Sequence, residues 1–154
     1  MYKRILVPVD GSRTAMLGLR EAIRMAGNRG ARLRLLHVLD LARVLGMLMR
    51  TRDSQDLTAG LERKGERALR VARTLAAKHR IKVESAVVSS PEERAAVAIL
   101  EEAKRWNADL IVMGTHGRRG INRILMGSDA ELVVRSSSVP VLLARAVAPG
   151  KRRP

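Results

Sequence analysis

Two polar turns hold the residue types in this chain that could do chemistry. The first is Pro8-Val9-Asp10-Gly11-Ser12, with a carboxylate and a hydroxyl on either side of a glycine. The second opens at Gly114-Thr115-His116-Gly117, runs through Arg118, Arg119, Gly120 and Arg123, and closes at Gly127-Ser128. Glycines let the backbone take positive φ and let amide N–H groups approach an anion with no Cβ in the way. Gly127-Ser128 then leads into a helix N-terminus, where unpaired N–H groups and the helix dipole favour negative charge. With arginines nearby, this is the chemistry of a phosphate cradle, one loop bounded by two glycine turns. No Ser/His/Asp set, metal-ligand cluster or carboxylate pair stands out, so no catalytic residue is assigned.

These turns need strands and helices to position them. Arg4 to Val9 reads as a strand, and Ser12 caps a helix with Met16, Leu19, Ala22, Ile23 and Ala26 on one face. Arg32 to Leu39 is a second strand, Leu57 to His79 a long helix, and Ile81 to Val88 a third strand. Ser90-Pro91-Glu92-Glu93 has the form of a capping box with proline at the first helical position, opening a helix to about Arg105. Asp109 to Gly114 and Pro140 to Arg145 are the fourth and fifth strands. A helix lies between them, entered at a second capping box, Ser128-Asp129-Ala130-Glu131. Strands alternating with helices, two of them the continuous apolar runs LIVM and VLLA, predict an α/β fold with a parallel sheet covered on both faces. In such sheets ligands bind at the carboxyl ends of the strands, where strand order reverses. The stretch from Asp40 to Asp56 is the one long connection, rich in Leu and Met. It reads as a surface loop with partial helix, or alternatively as a lid or partner contact.

Composition narrows the classes. The chain has 154 residues and no cysteine, which removes thiolate metal sites, disulfides and cysteine nucleophiles. No run approaches a bilayer-spanning length, and no leader precedes Ile5, so a cytoplasmic location is expected. Thirty basic residues against fifteen acidic ones give a net charge of +15, a field that invites polyanions. The cations are spread along the chain, many on outer helix faces such as Arg20, Arg24, Arg63, Arg67, Arg70 and Arg73. Tyr2 and Trp106 are the only aromatic residues, too few for a single-strand stacking platform, so specific nucleic-acid recognition is not expected. Gly60 to Gly65 has P-loop glycine spacing, but Glu66-Arg67 follows where Lys-Ser/Thr is required.

The motif Gly114-x2-Gly117-x9-Gly127-Ser128 directly after a LIVMG strand resembles the ATP-binding signature of the universal stress protein family. RILVPVDGS, LLHVLD and SVPVLLAR resemble it too, and the likeness runs from about Tyr2 to Arg145. The resemblance implies a doubly wound five-stranded parallel sheet of order 3-2-1-4-5, adenine-nucleotide alpha-hydrolase-like, over residues 1–146; the basic composition of 147–154, ending in Lys151-Arg152-Arg153-Pro154, reads separately as a disordered tail. It implies that Pro8, Val9 and Asp10 flank adenosine, with Asp10 on the ribose or near a metal. Val38 would contact adenine, Met113 and Gly114 would line the pocket, and Gly117, Gly127 and Ser128 would hold phosphates. His116, Arg118 and Arg119 fall in the same loop and join the candidate site. ATP is the implied cofactor, with Mg²⁺ admitted, and a homodimer through Val139, Val141 and Leu143 the implied assembly. Each residue has a plainer reading beside this one. Ser128 caps the helix with Glu131, Asp10 caps the first helix, and Val38 and Met113 belong to the core. His116 faces solvent, His37 is a satisfied core histidine, and His79 suits a helix C-terminus. Asp129 is the dissonant residue, because a carboxylate there would repel a triphosphate unless Mg²⁺ bridges them or it points away. The function implied is an ATP-binding regulatory or stress-response protein with slow or no hydrolysis. The alternatives are a basic nucleic-acid-associated protein or a nucleotide-free dimeric interaction module.

Overall fold

The computed structural model describes residues 1–27, 30–40, 46, 54–90, 94–115 and 126–145. Outside them lie most of the Asp40–Asp56 connection, Pro91-Glu92-Glu93, the loop residues His116, Gly117, Arg118, Arg119, Gly120 and Arg123, and the basic tail. The strands are β1 (Arg4–Pro8), β2 (Arg32–Asp40), β3 (Lys82–Ser90), β4 (Leu110–Gly114) and β5 (Val141–Ala144). Helices α1 (Arg13–Ala26), α2 (Ser54–Lys78), α3 (Ala95–Arg105) and α4 (Ser128–Ser136) follow the first four strands in turn. All strand neighbours are parallel, in the order β3-β2-β1-β4-β5. The expected doubly wound sheet is therefore present, with β1 and β4 adjacent at the point where strand order reverses.

Alternation along each strand divides the core in two. Ile5, Val7, Leu33 and Val112 pack under α1 and α2 against Leu19, Ala22, Ala68 and Ala72. Leu6, Leu36, Ile111 and Met113 pack under α3 and α4 against Ala96, Ile99, Ala130 and Val133. Burial on both faces is why the central strands are apolar throughout rather than alternating. At Gly18 a Cβ would stand 3.1 Å from the backbone of Met113, and at Gly114 one would stand 2.6 Å from the carbonyl carbon of Thr14. Two glycines thus set how closely α1 lies on β4.

Helix starts are where expectation and structure part. Ser12 caps α1 as expected, its Oγ accepting from the Ala15 N–H at 3.1 Å, worth about 1 kcal/mol. Ser90 is not a cap. It ends β3 in register with Asp40, its hydroxyl donates to the Arg94 carbonyl at 3.2 Å, and α3 starts at Ala95 after Arg94. The strand ladder holds the serine that the capping box would need. Ser128 is likewise the first helical residue of α4 rather than its cap. Gly127 takes the capping position, with no side-chain cap bond.

At the amino ends of the strands α3 is fastened by charge. Glu102, 2% exposed, ion-pairs with Arg34 on β2 and with Arg105, each at 2.5 Å. Arg34 also reaches Glu84 at 2.9 Å, and Glu84 accepts from the indole N–H of Trp106 at 3.1 Å. Arg4 lies over the Trp106 ring at 4.7 Å. Paired with two guanidinium groups, the buried Glu102 carboxylate escapes the penalty an isolated one would carry. Among the described residues no helix is long and apolar enough to cross a membrane.

Candidate functional site

The carboxyl ends of β1, β2 and β4 bring most of the described candidates to one edge of the sheet. After Pro8, the Val9 N–H donates to the Leu36 carbonyl at 2.7 Å, so β1 stays beside β2 for one residue more. The chain then turns. The Asp10 carboxylate accepts from the Ser12 N–H at 2.8 Å, and Gly11 takes φ +80°, a conformation that favours glycine. Asp10 therefore closes the turn on the residue that caps α1.

The turn is held from the other side by His37. Its ring is 5% exposed, and because a carbonyl only accepts, Nδ1 carries the hydrogen and donates to Val9 O at 2.7 Å. The ring occupies a notch in α2, where a Cβ at Gly65 would come within 2.7 Å of Nε2. Reading His37 as a satisfied core residue is correct. Its partner and the purpose of Gly65 are additions, and the only sequence hint was a glycine inside a helix.

Val38 and Met113 belong to the apolar cluster under α3 and α4, Met113 buried and Val38 half-buried. They form an apolar wall on that side of the sheet edge. Gly114 lies against α1, as above. Thr115, 8% exposed, donates its N–H to the Ala144 carbonyl at 3.0 Å, and its own carbonyl accepts from the Gly127 N–H at 2.8 Å. The glycine-rich stretch therefore leaves the sheet and returns to it at one point. That bond brings Gly114 and Gly127-Ser128 together, and sequence spacing alone did not reveal Thr115 as the clasp.

Ser128 and Asp129 open α4, whose first-turn amides have no partner within the helix. The Asp129 carboxylate is engaged by the neighbouring helix. It accepts from the Ala96 N–H at 3.2 Å and so caps the first turn of α3. No group of three or more His, Asp or Glu side chains among the described residues is arranged to hold a metal ion. His116, Gly117, Arg118 and Arg119 lie outside the described residues.

This edge thus combines an apolar wall, a carboxylate turn and a helix N-terminus at the topological switch point, a setting suited to an anion attached to an apolar ring system. Comparison with known proteins agrees in kind. The family model described as the universal stress protein family matches residues 1–145. Universal stress protein MJ0531 of Methanocaldococcus jannaschii is 33% identical over 146 residues, 94% of this chain and 83% of that protein. The solved structure of MJ0577 from the same organism superposes with a TM-score of 0.81 at 28% identity, covering 96% of this chain and 99% of that one. A universal stress protein of Archaeoglobus fulgidus, solved in complex with dAMP, superposes with a TM-score of 0.66 at 25% identity, covering 93% and 98%.

Proposed function

The chain belongs to the universal stress protein family, and from that premise we propose that it is a regulatory protein that binds an adenine nucleotide, ATP, at the sheet edge. The observation that carries this reading is the Thr115–Gly127 hydrogen bond of 2.8 Å. It supports a cradle in which the Gly127-Ser128 amides and the loop from His116 to Arg119 meet the phosphates. In this reading Val38 contacts the adenine, Met113 and Gly114 line the same pocket, and Pro8, Val9 and Asp10 flank the adenosine, with Asp10 on the ribose or near a metal. The dAMP held by the Archaeoglobus relative favours the same class of ligand. The Asp129–Ala96 bond is compatible with it, since it engages the carboxylate of the first turn of α4 with the neighbouring helix. Mg²⁺ would enter with the triphosphate, and Asp10 is the acid on hand to meet it.

Turnover in this reading is slow or absent. The chain offers positioning and charge, and no side chain is assigned as a base for the attacking water. Nucleotide occupancy acts instead by changing the surface that partners read. Two copies pair through the edge strand β5, by way of Val139, Val141 and Leu143, a reading favoured by the half-buried state of these side chains in a single chain. The test is calorimetric titration of ATP into wild type and Gly117→Val. The variant should lose at least tenfold in affinity, because a β-branched side chain denies the phosphates the backbone amide. Equal affinities would overturn the cradle.

A further inference from the structure

The net charge of this protein is unequally shared between the two helical layers. On α1, Arg13, Arg20 and Arg24 are exposed and spaced i, i+7, i+11, which puts them on one stripe. That stripe lies opposite the buried Ala15, Leu19, Ala22 and Ala26. On α2, Arg63, Arg67 and Arg70 are exposed at i, i+4, i+7, opposite the buried Ala68, Ala72 and Ala76. The two helices sit on the same face of the sheet over one core cluster, so both stripes point outward together. Against nine basic residues these two helices carry four acids, Glu21, Asp56, Glu62 and Glu66. Glu21 ion-pairs with Arg24 at 2.5 Å, and Glu66 pairs with Arg73. None of Arg13, Arg20, Arg63, Arg67 and Arg70 is engaged by a carboxylate among the described residues. The α3/α4 layer differs, because its Glu101, Glu102, Asp129 and Glu131 outnumber its Lys104, Arg105 and Arg135.

We propose that the outer face of α1 and α2 docks the phosphate backbone of a nucleic-acid duplex, without reading its sequence. Charge complementarity supplies the attraction. The stripes run for about 10 Å on α2 and about 16 Å on α1, at 1.5 Å per residue, lengths over which a duplex offers several phosphates. Other anionic partners fit less well. An interfacial membrane helix needs an apolar face toward the lipid, and here the apolar faces of both helices are already buried against the sheet. A protein partner would need aromatic or aliphatic anchors. Val71 is the one large exposed hydrophobic residue on either helix among those described. Single strands would need aromatic stacking, and Tyr2 and Trp106 are the only aromatic side chains, neither on these helices.

The test measures binding of two fluorescent duplexes of about 20 base pairs and unrelated sequence, by anisotropy across a salt series. If six arginines meet phosphates, the slope of log affinity against log salt is about −5, the same for both sequences. The triple variant Arg63→Gln/Arg67→Gln/Arg70→Gln should make that slope shallower by about 3, and each single variant by about 1. A control triple, Lys82→Gln/Lys104→Gln/Arg135→Gln, removes equal charge elsewhere and should stay within about one of wild type. All the replaced side chains are exposed, and an unchanged circular dichroism spectrum checks that each variant folds. Saturating ATP at matched ionic strength should leave duplex affinity unchanged. The proposal is overturned by equal losses in the two triples, by competition from ATP, by absence of duplex binding at 50 mM salt, or by binding to anionic lipid vesicles and not to duplex.

Discussion

At Gly114 the backbone of β4 runs so close to α1 that a single added methyl group would collide with the Thr14 carbonyl, 2.6 Å away at its carbon and 2.8 Å at its oxygen. Both partners are backbone held in regular structure, so neither can swing aside. Gly114→Ala should therefore cost about 1–3 kcal/mol, as overpacking does, read as a lowered midpoint in urea unfolding. An unchanged midpoint would show that α1 can move outward without penalty. The residue was singled out from sequence by its spacing to Gly117 and Gly127, and its helix–strand contact was not. That contact depends on the distance between two elements, a tertiary quantity with no local signature. Asp10 and Ser12 were legible because their bonds span two and three residues. His37 and Val9 lie 28 residues apart, and the bond between them follows only from strand pairing.

Among the helices, α3 draws its start from another element. Arg94 provides no side-chain cap, and the Asp129 carboxylate of α4 accepts from Ala96 in its place. Asp129→Ala should thus lower stability by about 0.5–2 kcal/mol, the range for loss of a cap, measured by chemical denaturation. ATP affinity should stay within twofold of wild type. A several-fold tightening would mean that this carboxylate opposes the phosphates after all. Strand and helix identities were readable from periodicity, and each expected element is present within about three residues of its expected ends apart from the start of α3. Both capping boxes misled for a physical reason. The pattern Ser-x-x-Glu needs the serine's backbone free of other structure, whereas Ser90 is engaged in the β3 ladder. At Ser128 the glycine before it already occupies the turn.

For the whole molecule, the sheet order and the placement of the candidate site at its carboxyl edge followed from the alternation of strands and helices together with the family resemblance. The polarity of charge between layers did not. It appears only once each helix is assigned to a side of the sheet, with α1 and α2 on one and α3 and α4 on the other. A net charge of +15 repels itself and opposes compaction, and α1 and α2 contribute nine basic residues against four acids to it. Raising salt from 20 to 300 mM should therefore raise the thermal midpoint, and Arg63→Gln/Arg67→Gln/Arg70→Gln should flatten that rise. A midpoint that falls with salt would place the ion pairs around Glu102 above self-repulsion. The Thr115–Gly127 clasp has its own consequence for how such a chain tolerates change. Because the two ends are pinned together, the entropy of holding them grows only logarithmically with the span between, about 0.6 kcal/mol for each doubling. For folding alone, a change of length in that span is thermodynamically mild, so in the proposed reading it is the phosphate contact, and not the stem, that fixes the spacing from Gly117 to Gly127.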